Sequence, residues 1–214
     1  MDTPITPPNP SSFRPRSARP MLLVVATVVV GWGLLVAFIL YGNRNPTVPQ
    51  SPAIGKKFER LQLQPLLGAA EPLHAKDLSG KVVLLNFWGP WCTYCRLEMP
   101  ALVKIYERHK DDPNFRFVSV SCDANAASEK EQDLREESDS FVKSKGYDFA
   151  VHRDQNGFSR QAVVELAQLD REGFMFPMTL ILDRDGAVRG IFPGYSADKG
   201  AAISSMVDEL LKGT

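Results

Sequence analysis

The sequence predicts an α/β domain, a central mixed sheet covered by helices on both faces, carried behind one membrane-spanning helix. Three observations predict it. Strand-like and helix-like patterns alternate from about Ala53 to the C-terminus. KVVLLNFW (Lys81–Trp88) is an almost unbroken run of β-branched, aliphatic and aromatic residues, the mark of a strand buried on both faces. MLLVVATVVVGWGLLVAFILY, from Met21 to Tyr41, carries no charged side chain. At ~1.5 Å per residue it is long enough to cross a ~30 Å hydrocarbon layer.

Residues 1–20, rich in Pro and Ser and without hydrophobic periodicity, read as a disordered cytoplasmic tail. Arg14, Arg16 and Arg19 precede the apolar span 21–41, and only Arg44 follows closely. That asymmetry puts the N-terminus in the cytoplasm and the body outside, in an oxidising, periplasmic compartment. A cleaved signal peptide is the competing reading. It needs an apolar core of ~7–15 residues and an A-x-A-like cleavage site, and LVAFILYGN offers no such pattern. An uncleaved single-pass anchor is therefore expected. Residues 42–52, with Pro, Asn, Gln and Ser, form the linker, and 53–214 form the folded domain.

Within that domain the strand Lys81–Trp88 precedes two cysteines, and Arg96–Lys110 reads as helix. Leu97, Ala101, Ile105 and Tyr106 lie along one side of it. FRFVSVS (Phe115–Ser121) is a second strand. Residues 127–145 are charge-dense but keep Leu134, Phe141 and Val142 in helical register, as on a helix with a solvated face. Phe149–His152 is a short strand and Phe158–Ala167 a helix. Met178–Leu182 and Ala187–Phe192 flank Asp183-Arg184-Asp185-Gly186, and an Asp-Gly between strand patterns signals a hairpin. Residues 198–212 close the chain as an amphipathic helix.

Composition narrows the function. Basic and acidic residues balance at 25 each, which argues against nucleic acid as a partner. Only three cysteines occur, so disulfides are not the scaffold, and Cys92 and Cys95 form a close pair beside the odd Cys122. In WCTYC a strand ends, a short loop follows and a helix begins at or just after Cys92. Free N–H groups and the dipole at a helix start favour the thiolate, the form that attacks disulfides. The three-residue offset brings the second sulfur within bonding range. Cys92 is thus expected to be the exposed nucleophile and Cys95 the more buried resolving thiol.

Other uses of the pair fit less well. A zinc site wants further ligands at matched spacing, and only Cys122 and scattered His74, His109 and His152 are on hand. Covalent haem attachment wants His after the second cysteine, where Arg96 stands. A purely structural crosslink over so small a loop adds little chain entropy. Cys122, in SVSCDAN, reads as an inert packed residue, with a modified, regulatory or metal-binding thiol as the alternative, and the histidines read as structural or surface residues.

GKVVLLNFW followed by WCTYCRLEMP resembles the active site of thioredoxin-fold proteins, and more narrowly the membrane-anchored TlpA/ResA-type thiol–disulfide oxidoreductases. The resemblance runs from about Gly55 to the C-terminus. It implies a thioredoxin-like mixed sheet with an added N-terminal hairpin, supplied by Ala53–Pro65. Trp91 matches the aromatic that shields the redox pair, and Pro100 a helix-kinking proline. Glu98 occupies the family's acidic position, one turn beyond Cys95, which implies a proton shuttle; an ordinary surface glutamate is the alternative. Asn86 stands where thioredoxins proper carry a buried Asp, as is usual in the TlpA-like branch.

FPMTLILDRDG resembles the loop that bears a cis-proline opposite the cysteines. Pro177 would be that residue, with the Phe176 backbone pairing to an extended substrate strand. Met175 and Met178 stand where the family often has Gly and Thr. The implied activity is reduction of disulfides in partner proteins outside the cytoplasm, as in cytochrome c maturation, with electrons from a membrane-embedded thiol carrier. No cofactor or resident metal is expected. Two rivals remain: a peroxiredoxin-like peroxidase, although Gly89-Pro90-Trp91 lacks the usual Thr, and a Cu(I)-binding metallochaperone, for which His152 is the distal candidate.

Overall fold

A computed structural model describes residues 31–33, 51–69, 71–124, 130–170 and 173–213. The chain divides into two compact units, Met1–Pro46 and Thr47–Thr214, and the fold below belongs to the second. The expected tail, nearly all of the expected anchor, and the linker up to Gln50 lie outside the described residues. Among the described residues no helix is long and apolar enough to cross a membrane.

Eleven elements follow in chain order: β1 Gln62–Leu67, β2 Leu73–His74, β3 Val82–Trp88, α1 Thr93–His109, β4 Phe115–Ser121 and α2 Glu131–Ser144; then β5 Val151–Arg153, α3 Phe158–Ala167, β6 Met178–Leu182, β7 Val188–Pro193 and α4 Lys199–Lys212. The seven strands form one sheet in the order β2-β1-β5-β4-β3-β6-β7. β3, β4 and β5 run parallel, while β6, β7, β1 and β2 pair antiparallel. This is the mixed sheet the alternation predicts, in the thioredoxin-like form the resemblance implies.

β3 is an interior strand between β4 and β6, with every residue buried, which is why its sequence lacks alternation. Val83, Leu85 and Phe87 face one core with Leu63, Val118, Leu180 and Val163 of α3. Val82, Leu84 and Trp88 face the other with Met99 and Leu102 of α1, Phe141 of α2 and Val207 of α4. Leu84 is fully buried in that layer. Leu84→Ala is expected to lower the unfolding free energy by about 3 kcal/mol, read from urea denaturation. A loss below about 1 kcal/mol would mean that the layer repacks.

Two expectations are corrected. The N-terminal hairpin is Gln62–Leu67 with Leu73–His74, not Ala53–Pro65. Residues before it close into turns, with Ile54 N–H on the Ser51 carbonyl, and dock on the β6–β7 hairpin through Gly55 N–H to Val188 O and the Lys57–Ala187 bridge. The true strand signal is the alternation LQLQ, in which Leu61 and Leu63 are buried.

The inner face of α1 is also different. Cys95, Glu98, Met99, Leu102 and Ile105 point inward, and Leu97 is 53% exposed. The helix begins at Thr93, and the link to the capping Cys92 holds Cys95 inward. From there the helical period carries Glu98 and Met99 into the interior and turns Leu97 out. Pro100, on the outer side, cannot donate to the Arg96 carbonyl one turn back.

Candidate active site

β3 ends at Trp88, and Gly89-Pro90-Trp91 turns the chain, with Cys92 N–H on the Gly89 carbonyl. Cys92 is the N-cap of α1 in extended backbone, and its Sγ accepts the Cys95 N–H at 3.2 Å. The two cysteines are joined as a disulfide with Cα atoms 5.3 Å apart. Cys95 is the deeper of the pair, at 1% exposure, as expected. Cys92 is 6% exposed, so the expected exposed nucleophile is corrected: it lies at the floor of a groove, not on the surface. Its sulfur is drawn onto the helix start by the bond to Cys95, and aromatic neighbours rise around it.

That groove, about 540 Å³, is lined by Trp91, Thr93 and Tyr94 on one side and Met175, Phe176 and Tyr195 on the other. Tyr94 and Tyr195 stack at 6.3 Å, and the edge of Trp91 meets Phe176 at 5.2 Å. The Trp91 indole N–H donates to the Cys122 carbonyl at 3.0 Å, which fixes the ring beside the disulfide. The Phe176–Pro177 peptide is cis, as the resemblance predicts. Cys122 is wholly buried at the end of β4.

A buried polar triangle links α1 to β3 and β6. Asn86 Nδ2 donates to Glu98 Oε2 at 3.1 Å and to Thr179 Oγ1 at 2.9 Å, and the Thr179 hydroxyl donates to the same Oε2 at 2.9 Å. Glu98 is 2% exposed, so the surface-glutamate alternative is excluded. Burial pushes its pKa up to about 7, against the opposing pull of the Thr179 hydrogen bond, the Lys199 charge and the Asn86 hydrogen bond. Its Oε1 has no hydrogen-bond partner among the described residues.

Sequence reading gives Thr179 no part in this site. The available signal is register: Thr179 pairs directly with Asn86 between β6 and β3, and Asn86 was already visible as the one polar residue in an apolar strand. Tyr195 is likewise missed, because it comes from the loop after β7 and no motif marks it. His152, the distal candidate for copper, is buried on β5 and lines a separate cavity with Glu71 and Arg116. Burial and the nearby Arg116 charge lower its pKa to about 4.

A disulfide closing the N-terminus of the helix after the central strand, faced by a cis-proline loop in this sheet order, defines a thiol–disulfide oxidoreductase of thioredoxin-like build. The AhpC/TSA family model matches residues 54–191, and the chain belongs to that family. Among its relatives, the thioredoxin-like protein YneN of Bacillus subtilis is 27% identical over 84% of this chain and 90% of its own length. The thiol-disulfide oxidoreductase ResA of Bacillus thuringiensis is 26% identical over 91% and 93%. The crystal structure of the thioredoxin domain of a Bacteroides vulgatus thiol-disulfide oxidoreductase aligns with a TM-score of 0.54 at 22% identity, over 73% of this chain and 96% of that one. At that identity it bears on the fold alone.

Proposed function

We propose that the protein is a single-pass, membrane-anchored oxidoreductase whose folded domain works outside the cytoplasm. There it reduces disulfides in partner proteins and is re-reduced by a membrane-embedded thiol donor. The observation that carries the redox reading is the Cys92–Cys95 disulfide at the N-cap of α1, opposite cis Pro177. The anchored, extracytoplasmic setting rests on the uncharged stretch from Met21 to Tyr41 and the arginines before it. Cytochrome c maturation, which the sequence resemblance implies, is a setting with such substrates.

In the reduced form the Cys92 thiolate attacks one sulfur of a substrate disulfide and expels the other as thiolate, leaving a mixed disulfide. Cys95 then attacks Cys92 Sγ, forms the intramolecular disulfide and releases the second substrate sulfur. Two electrons pass to the substrate, which leaves as a dithiol once its sulfurs are protonated. Cys95 must lose its proton to attack, and Glu98, one turn along and titrating near neutrality, receives it. Trp91, Phe176 and Pro177 bind the substrate: its backbone runs along Phe176, and the aromatic groove takes its side chains.

A glutathione redox titration of the full chain tests the direction of electron flow. A midpoint near about −300 mV marks a reductant, and one near about −120 mV would make it an oxidant and overturn this part of the reading. Failure of the reduced protein to reduce any protein disulfide would remove the assignment altogether.

A further inference from the structure

Arg160 is 9% exposed and stands far from the cysteines in sequence, yet its guanidinium reaches the ring of Phe176, the residue before cis Pro177. Its backbone N–H and its Nε both reach the fully buried Asp154 Oδ2, at 2.9 and 3.1 Å. Asp154 Oδ1 holds the neighbouring Ser159 N–H at 2.7 Å, so this carboxylate anchors the first turn of α3 as well as the guanidinium. Arg160 Nη1 donates to the Asp123 carbonyl at 3.1 Å. Nη2 has no hydrogen-bond partner among the described residues, and the guanidinium lies over the Phe176 ring, with Cζ 5.8 Å from the centroid.

Phe176 therefore has two polar-anchored neighbours. Trp91 hangs by its indole N–H from the Cys122 carbonyl, and Arg160 hangs from the next carbonyl along the chain, that of Asp123. Both pack on the same ring, at 5.2 and 5.8 Å. The consecutive carbonyls just after β4 thus anchor two of the groups that pack on Phe176. A cavity of about 810 Å³, lined by both Arg160 and Phe176, opens beside the ring. Phe174 also meets the ring at 5.2 Å, so loss of the guanidinium would remove the polar-anchored support on the cavity side and leave Trp91 and Phe174 to hold the ring.

We propose that Arg160 is a positioning residue for substrate: it holds Phe176, and through it the edge on which an extended substrate segment pairs. This rests on the functional reading above. It does not extend to the sulfur chemistry, since the hydrogen bonds and ring contact of Arg160 go to Asp154, Asp123 and Phe176. A small dithiol needs no backbone pairing, whereas an extended peptide does, and the two substrates therefore separate positioning from chemistry.

The experiment uses the full chain with two assays: reduction of a mixed disulfide between glutathione and a nine-residue cysteinyl peptide, and reduction of the Cys92–Cys95 disulfide by dithiothreitol. Arg160→Gln leaves Asp154 buried without its cation and is at risk of misfolding. Arg160→Lys keeps that charge, but its single ammonium is drawn to Asp154 and cannot also span Asp123 and Phe176. Arg160→Lys is expected to lower kcat/KM for the peptide about tenfold, through KM, with the dithiothreitol rate within about twofold of wild type. Phe176→Leu should give a similar loss, and the double variant no further one, because both changes remove the same contact.

Wild-type peptide kinetics in Arg160→Lys, equal losses in both assays, or additive losses in the double variant would each overturn the proposal. A wild-type protein that reduces no peptide would instead bring down the functional reading on which it rests.

Discussion

Glu98→Gln is expected to slow disulfide exchange at pH 7 by about a hundredfold and to remove the limb of the pH–rate profile near neutrality. Glutamine keeps an acceptor for Asn86 and Thr179, so the triangle survives while the proton acceptor is lost. A rate loss with an unchanged pH profile would mean that Glu98 acts only by packing. The same variant should change how the fold responds to acid. In the folded chain Glu98 holds its proton up to about pH 7, well above the ordinary 4.5, so its contribution to stability is full below pH 4.5 and is lost as pH rises through 7.

His152 works in the opposite sense. Its folded pKa of about 4 lies below the ordinary 6.5, so its contribution is present above pH 6.5 and is lost as pH falls through 4. Each is worth about 3 kcal/mol over its full range, and between pH 4.5 and 6.5 the two slopes offset each other. Wild-type stability should be nearly flat there. Glu98→Gln should expose the histidine alone, with stability falling by about 3 kcal/mol from pH 7 to pH 4 in urea denaturation. Parallel curves for the two proteins would refute the raised carboxyl.

Cys95→Ser is expected to abolish turnover, by about three orders of magnitude or more, while one equivalent of substrate accumulates as a mixed disulfide on Cys92. Cys92→Ser should be equally inactive but form no such adduct, because Cys95 lies deeper beneath the groove. Mass spectrometry of the non-reduced protein distinguishes them. Adduct on Cys95 in the second variant, and none in the first, would reverse the assigned roles.

The frame of this fold was legible because its strongest signals are local. β3 announces itself as an apolar run and β4 as a short β-branched and aromatic stretch, α3 spans Phe158–Ala167 as read, and the Asp-Gly of the β6–β7 turn marks its hairpin. The cysteine pair was legible for the same reason: strand, turn, helix start and both sulfurs fall within one short stretch. What escaped depends on tertiary placement. Leu97 looked like a core residue by hydropathy, yet helix phase turns it outward and brings the charged Glu98 in. No pattern rule buries a glutamate; Asn86 and Thr179, brought opposite each other by β3–β6 pairing, make it tolerable. Arg160 and Tyr195 are brought to the site by chain crossings that a linear reading does not show.

Cys122 is wholly buried, so its sulfur is closed to reagents in solution until the domain opens. A protein that shuttles between dithiol and disulfide many times in its life is exposed to miswiring at every round. Here the third thiol is kept from solvent, and the described residues hold a single crosslink to return to after each cycle.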